Sequence, residues 1–188
     1  MKRLICSVLV LAFVSLSALA DVLSTPLMLD NGEYEIPAIM TSPEGTVVVP
    51  GVILLHGSAS HKNEVGDLYL RLAEQLANNG IASIRIDFAG TGDSPVDYTH
   101  YTLKTAVRDA EVALAFLRSQ TQVDAHRIGI VGFSQGGLIA QLLLAQQPGI
   151  KSFVAWSSVA SDGIGPFADM FETLYMKAKR EGQVEQQF

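Results

Sequence analysis

Cysteine is nearly missing from these 188 residues: there is one, Cys6, and it lies in the first apolar run. A fold stapled by disulfides is therefore excluded, and the chain must rely on its core. Basic residues are short too, 13 Lys and Arg against 19 Asp and Glu, for a net charge of −6. An acidic surface argues against nucleic acid and anionic lipid as partners. Histidine occurs four times, at 56, 61, 100 and 126, and never after Ser134. No His/Glu cluster has metal-ligand spacing, and the Gly90-Thr91-Gly92-Asp93-Ser94 turn lacks the third glycine of a dinucleotide fingerprint. No cofactor and no metal are expected. Internal repeats and low-complexity tracts are also lacking, so one domain is expected.

What is present begins with a leader. Lys2 and Arg3 precede an apolar run from Leu4 to about Leu16, then Ala18-Leu19-Ala20 and Asp21. A charged start, an apolar middle and a small-residue ending read as a secretory signal peptide over 1–20, cut after Ala20. The rival is an uncleaved anchor helix, since Leu4 to Ala20 approaches spanning length. Cleavage removes Cys6 and two cations, taking the net charge from −6 to −8. The expected location is periplasmic or secreted, with no stable membrane association once the leader is gone. The remaining 168 residues are enough to bury about 70% of the unfolded chain's surface.

Glu33 to Met40 alternates apolar and polar residues, which suits a half-exposed strand, and Pro37 restricts it to an edge or a bulge. Val52 to Leu55 is fully apolar, as a strand covered on both faces must be. Between Asp67 and Asn79, Leu68, Leu72 and Leu76 recur every four residues, predicting an amphipathic helix ended by Asn79-Gly80. Ile81 to Phe88 is the next buried strand. A glycine-rich turn and a tyrosine-bearing loop lead to Thr102, which caps a helix reaching Gln120 with Leu103, Val107, Ala110, Leu114 and Leu117 on one face. Asp124 to Arg127 reads as a turn, and Ser152 to Trp156 as one more strand. Pro166 to Glu181 has helical spacing, with cations at the end that favours them. Strands alternating with helices give a parallel α/β sheet opened by an antiparallel hairpin.

The most informative stretch is Ile128 to Gly137, an apolar strand running into Gly132-Phe133-Ser134-Gln135-Gly136 with a helix behind it. Gly-x-Ser-x-Gly between strand and helix is the signature of a nucleophile elbow, a sharp turn that lifts one hydroxyl clear of the sheet. Glycines flank the serine because a Cβ there would collide with the opposing backbone. The alternative is an ordinary Gly/Ser-rich turn.

Together with His56-Gly57 after the first buried strand and Asp87-Phe88-Ala89-Gly90-Thr91-Gly92-Asp93-Ser94 after the second, the order of elements resembles the α/β-hydrolase superfamily. The resemblance runs from about Val52 to Trp156. Its wording is most similar to cinnamoyl/feruloyl esterases and to serine aminopeptidase-like (monoglyceride-lipase-like) hydrolases. It implies an α/β-hydrolase fold, a mostly parallel sheet with helices on both faces, incomplete at its C-terminal side. It implies Ser134 as nucleophile of an acyl-enzyme, with the backbone N–H groups of Gln135 and Ser58 as oxyanion hole. In that family the histidine of the His-Gly pair is structural, so His56 is not expected to act as base. His61 is expected at the pocket edge, and His100 and His126 on surface loops. Asp87 and Asp93 are expected to tie their own loop.

A complete triad runs serine, acid, histidine in chain order. Here no histidine follows Ser134, and Asp162 is the candidate acid. The expectation is that residues 21–188 are the N-terminal part of a longer hydrolase domain, with the start of a cap at 160–188. Three functions stand open: an exported serine esterase, a serine aminopeptidase or amidase, and a non-catalytic short product. The substrate is expected to be a small-molecule ester or amide; the oligomeric state is left open.

Overall fold

The computed structural model describes residues 21–45, 47–159 and 172–181. The leader, Asp162 and most of the expected cap lie outside them. Among the described residues, six strands form one sheet in the order β1-β2-β4-β3-β5-β6. These are β1 (Val22–Asp30), β2 (Glu35–Pro43), β3 (Val49–Leu55), β4 (Ala82–Ile86), β5 (Val123–Phe133) and β6 (Ser152–Trp156). The helices are α1 (Leu68–Asn78), α2 (Leu103–Ser119), α3 (Gln135–Gln146) and α4 (Glu172–Glu181). β1 and β2 pair antiparallel, β2 joins β4 antiparallel, and β3 to β6 all run parallel. The fold is the mostly parallel α/β-hydrolase architecture with a hairpin at one side.

Alternation along β3 divides the core into two layers. Ile53 and Leu55 point to one face, where they pack with Ala110, Leu114 and Leu117 of α2 and Ile139 and Leu143 of α3. Leu54 points to the other, against Tyr69 and Ala73 of α1. Helices therefore cover both faces, and a central strand with no polar face is the consequence.

Two expectations about which residues are buried need correction. β2 is an interior strand and almost wholly buried, not a half-exposed edge. Pro37 is tolerated there because the pairing with β4 runs only from Ala38 to Thr41. Its carbonyl accepts the Asp87 N–H, so its missing N–H also faces that side, past the last rung. On α1, the fully buried stripe is Tyr69, Ala73 and Ala77, while Leu72 and Leu76 are only partly covered. Small residues let the helix approach the sheet, and the Tyr69 hydroxyl donates to the Leu55 carbonyl at 2.9 Å.

The capped helix is as expected. Thr102 Oγ1 accepts the Thr105 N–H, and the Thr105 hydroxyl oxygen accepts the Thr102 N–H in return. Asp124 to Arg127 is less a turn than a slip within β5. Its partners on β3 jump from Val49↔Val123 to Gly51↔Ile128, so three extra residues bulge out. Of the tail helix only Glu172–Glu181 is described. Among the described residues, no helix is long and apolar enough to cross a membrane.

Candidate functional site

Four parallel strands end on the same side of the sheet, and the loops that follow β3, β4 and β5 meet there, with residues 157–159 after β6 beside them. In open α/β sheets this is where ligands bind. β5 ends at Phe133 and α3 starts at Gln135, so the whole reversal falls on Ser134. That residue has φ 50° and ψ −118°, a conformation side chains rarely adopt. It is held by two backbone bonds: its N–H donates to the Trp156 carbonyl at 2.9 Å, and its carbonyl accepts the Gly137 N–H at 3.1 Å.

The flanking glycines are sterically required. A Cβ on Gly136 would fall on the carbonyl oxygens of Leu55 and His56, and one on Gly132 would strike the backbone of Gly136 and Gly137. The strand-to-helix bend can close only where these side chains are missing. Ser134 is half-buried, and its Oγ makes no hydrogen bond to another described residue. Beneath it α3 presents the N-terminus of a helix twelve residues long, where backbone N–H groups lack intrahelical partners. A hydroxyl at that end is placed so that negative charge developing beside it meets the positive pole.

The loop after β3 forms the facing wall. Gly57 sits so close to Ser134 that a Cβ on it would lie 3.2 Å from the serine Cβ. Ser58, next along, is exposed, and its hydroxyl donates to Gln135 Oε1 at 3.0 Å. The same oxygen accepts the Tyr101 hydroxyl at 2.8 Å. Tyr101 stacks on Tyr98, with centroids 5.2 Å apart and planes at 4°, and meets Phe88 edge-on. Burial and the nearby Tyr98 and Asp109 push the Tyr101 phenol well above its ordinary range, so it stays a donor. Ser58 and Gln135, expected to supply the two amides, are thus brought together through their side chains.

His56 is buried and takes no part in the open face of the site. Its Nε2 accepts the Phe88 N–H at 3.3 Å, which fixes the ring proton on Nδ1, and Nδ1 donates to the Gly57 carbonyl at 2.7 Å. Burial holds its pKa below the usual histidine value, against the pull of the Gly57 bond and the charges of Asp87 and Glu64. Asp87 ties the loop, accepting the Lys62 N–H, the Asp93 N–H and the Lys62 ammonium. Lys62 also reaches Asp93 at 2.6 Å; burial opposes its charge, but the two carboxylates outweigh it and raise its pKa. His61 is exposed on the same loop, and His100 and His126 are exposed elsewhere. Asp162 lies outside the described residues. Among the described residues no group of three or more His, Cys, Asp or Glu could hold a metal ion.

Inspection of the sequence overlooked Glu64. It is 1% exposed, yet it sits in the polar run His61-Lys62-Asn63-Glu64, which reads as solvated loop. Its three donors, on Gly57, Ser60 and Val65, lie in the same loop, and only the way that loop turns aims them at one carboxylate.

The fold and the elbow place the chain in the class of α/β hydrolases. Residues 48–187 match the family described as "Hydrolase_4: Serine aminopeptidase, S33", and the chain belongs to it. Two Escherichia coli proteins, each described as "Uncharacterized 31.7 kDa protein in traX-finO intergenic region", are 26% identical over 131 residues. The match takes in 70% of this chain and 45% of theirs, so the chain spans about half the length of the curated relatives it matches. Among solved structures, "Ferulic Acid bound to Est1E from Butyrivibrio proteoclasticus" superposes with a TM-score of 0.67 at 24% identity, over 77% of this chain and 56% of that one. The dienelactone hydrolase from Anabaena variabilis superposes with 0.61 at 20% identity, over 73% and 64%. At such identities these likenesses speak for the fold alone.

Proposed function

We propose that this polypeptide carries the nucleophilic half of a serine hydrolase. Ser134 Oγ attacks a carbonyl carbon, the carbonyl oxygen takes the negative charge, and an acyl-enzyme forms as the alcohol or amine leaves. The backbone N–H groups of Gln135 and Ser58 receive that charge; a single donor of this kind is worth about 3 kcal/mol in the transition state. What chiefly supports this is the left-handed φ of Ser134 at the strand-to-helix bend, with its hydroxyl bonded to no other described residue.

No histidine follows Ser134 in the sequence, and none of the four upstream bonds its hydroxyl. No base is assigned among these residues, and Asp162 stays a candidate acid. The leader-like first twenty residues favour an exported protein.

Two substrate classes share this chemistry. The family description favours an aminoacyl amide cleaved at a peptide N-terminus. The second class, an aromatic carboxylic ester, is prompted by the ferulic acid bound in the Est1E structure of the same fold. A fluorophosphonate probe on the full-length parent should modify Ser134, mapped by mass spectrometry, and a clean negative sinks the hydrolase proposal. Turnover of p-nitrophenyl butyrate against an aminoacyl nitroanilide then separates ester from amide. The 188-residue form should label slowly; brisk labelling would show that one of its own histidines serves as base.

A further inference from the structure

The loop after β3 is under unusual backbone strain for a surface segment. Ala59, Glu64 and Asp67 are all non-glycine residues at positive φ, at 51°, 61° and 56°. Each such residue costs on the order of 1 kcal/mol, so something must over-determine the loop. At its centre lies the Glu64 side chain, buried to 1% exposure, with no salt bridge to it among the described residues. Its Oε2 accepts the Gly57 N–H at 2.7 Å. Its Oε1 accepts the Ser60 hydroxyl at 2.6 Å and its neighbour Val65's N–H at 2.8 Å. A buried carboxylate is costly unless donors surround it, and here they do.

These bonds bear on a particular atom. The two peptide planes that meet at Gly57 are both clamped, the first through its N–H by Glu64 and the second through its carbonyl by His56 Nδ1. In a trans peptide the carbonyl and the following N–H point opposite ways. Fixing the Gly57 carbonyl toward the buried ring therefore turns the Ser58 N–H away from it. Gly57 itself packs on the Ser134 Cβ, so a rotation at Gly57 moves the wall that faces the serine. His56 alone cannot hold this geometry, because one hydrogen bond leaves the Gly57–Ser58 peptide plane free to pivot about its N···O line.

We infer that Glu64 is a positioning residue: its carboxylate sets the backbone of Gly57 and so aims the Ser58 N–H at the oxygen of the substrate. This rests on the hydrolase proposal for its consequence, but not for the contact itself. Neutral Gln cannot replace the carboxylate. Its amide NH2 would confront the Gly57 N–H in one orientation and the Val65 N–H in the other, two backbone donors that cannot accept.

Two measurements on the full-length parent decide the matter. In the first, wild type, Glu64→Gln and the milder Ser60→Ala are assayed on an oxygen ester and its thionoester, in which sulfur replaces the carbonyl oxygen. A poorly aimed donor favours oxygen less, so Glu64→Gln should lower kcat on the oxygen ester by about 10- to 100-fold and narrow its preference over the thionoester. KM should stay within about twofold, and Ser60→Ala should fall between. General loss of folded protein would depress both substrates alike and leave the ratio intact. In the second, amide proton NMR follows Gly57 and Ser58. The Gly57 proton should be shifted far downfield and protected from exchange in wild type, and both features should be lost in Glu64→Gln, with the Ser58 resonance moving. An unchanged oxygen-to-thiono ratio, or a Gly57 amide indifferent to the substitution, overturns the proposal. If the parent turns over neither ester, the hydrolase reading fails and the Gly57 resonance alone decides whether Glu64 holds the loop.

Discussion

Ser58 Oγ donates to Gln135 Oε1 at 3.0 Å, joining two residues 77 positions apart whose backbone amides are the proposed oxyanion donors. Tyr101 donates to the same oxygen, so one side-chain amide gathers the loops after β3 and β4 onto the first turn of α3. Replacing Gln135 by Ala strands the half-buried Tyr101 hydroxyl. The expected cost is about 1–2 kcal/mol of stability. Because the loss is an unpaired donor, Tyr101→Phe should cost less in the Gln135→Ala background than in wild type. A double-mutant cycle by urea denaturation measures the coupling, and strict additivity would mean the bridge contributes nothing.

Ser134 sets function against stability. Its φ of 50° is one that glycine adopts freely, and its hydroxyl bonds no other described residue. Ser134→Gly should therefore raise stability by about 1 kcal/mol while abolishing fluorophosphonate labelling. Ser134→Ala should abolish labelling too, without the gain, because the backbone strain remains. A melting temperature for Ser134→Gly at or below that of Ser134→Ala would mean the bend is not strained.

The glycines separate two physical causes. Gly136→Ala drives a methyl onto the carbonyls of Leu55 and His56, backbone atoms that cannot yield without parting α3 from β3. A loss of at least about 3 kcal/mol is expected. Gly80 has φ +74°, but no atom lies within 4 Å of where a methyl would sit, so Gly80→Ala should cost only about 1 kcal/mol through its left-handed backbone. Thermal denaturation ranks the two, and comparable losses would refute the steric account of the elbow.

Much of this is legible in the sequence alone. The elbow, the Thr102 cap and the continuous apolar run at Val52 to Leu55 each combine a local rule with a global need, and all three fall where expected. β1 carries no such signal. Only Leu29 of its nine residues is buried, and Pro26 interrupts it, so neither periodicity nor composition marks it as a strand. β2 misleads for the opposite reason: alternation reads as half-exposed, but polar Thr41 and Ser42 are buried along with their apolar neighbours. Thr41 is satisfied by Arg85 and Ser24, partners that only the sheet order supplies. Asp109 hides within a correctly read helix face. It accepts the Tyr34 hydroxyl at 2.9 Å and the Asn31 amide at 2.8 Å, fastening the β1–β2 turn to α2 across more than 70 residues. Burial raises its pKa despite those bonds. Residues whose surroundings come from distant chain segments leave no local trace.

The buried His56 makes the last prediction one of pH. Its pKa is lowered in the folded protein, mainly by desolvation, while the unfolded chain takes up a proton near the ordinary 6.5. Above that pH both states hold the ring neutral and its stabilisation is complete. As pH falls below it the unfolded chain gains a proton that the folded one refuses, so folding stability drops until the folded ring also titrates, by up to about 1.4 kcal/mol per pH unit. Protonation at Nε2 would set a donor against the Phe88 N–H, and the Gly57 clamp on the other nitrogen would follow the ring. The groups around the ring that oppose this are Asp87 and Glu64, which favour the charged form but less than burial disfavours it. The other three histidines are exposed. Stability measured from pH 7.5 to 5 for wild type and for His56→Gln should therefore give curves that converge toward acid, because the variant lacks the proton uptake. Parallel curves would show that the ring is protonated as readily in the folded protein as in the unfolded chain, and that its burial against Phe88 does not hold it neutral.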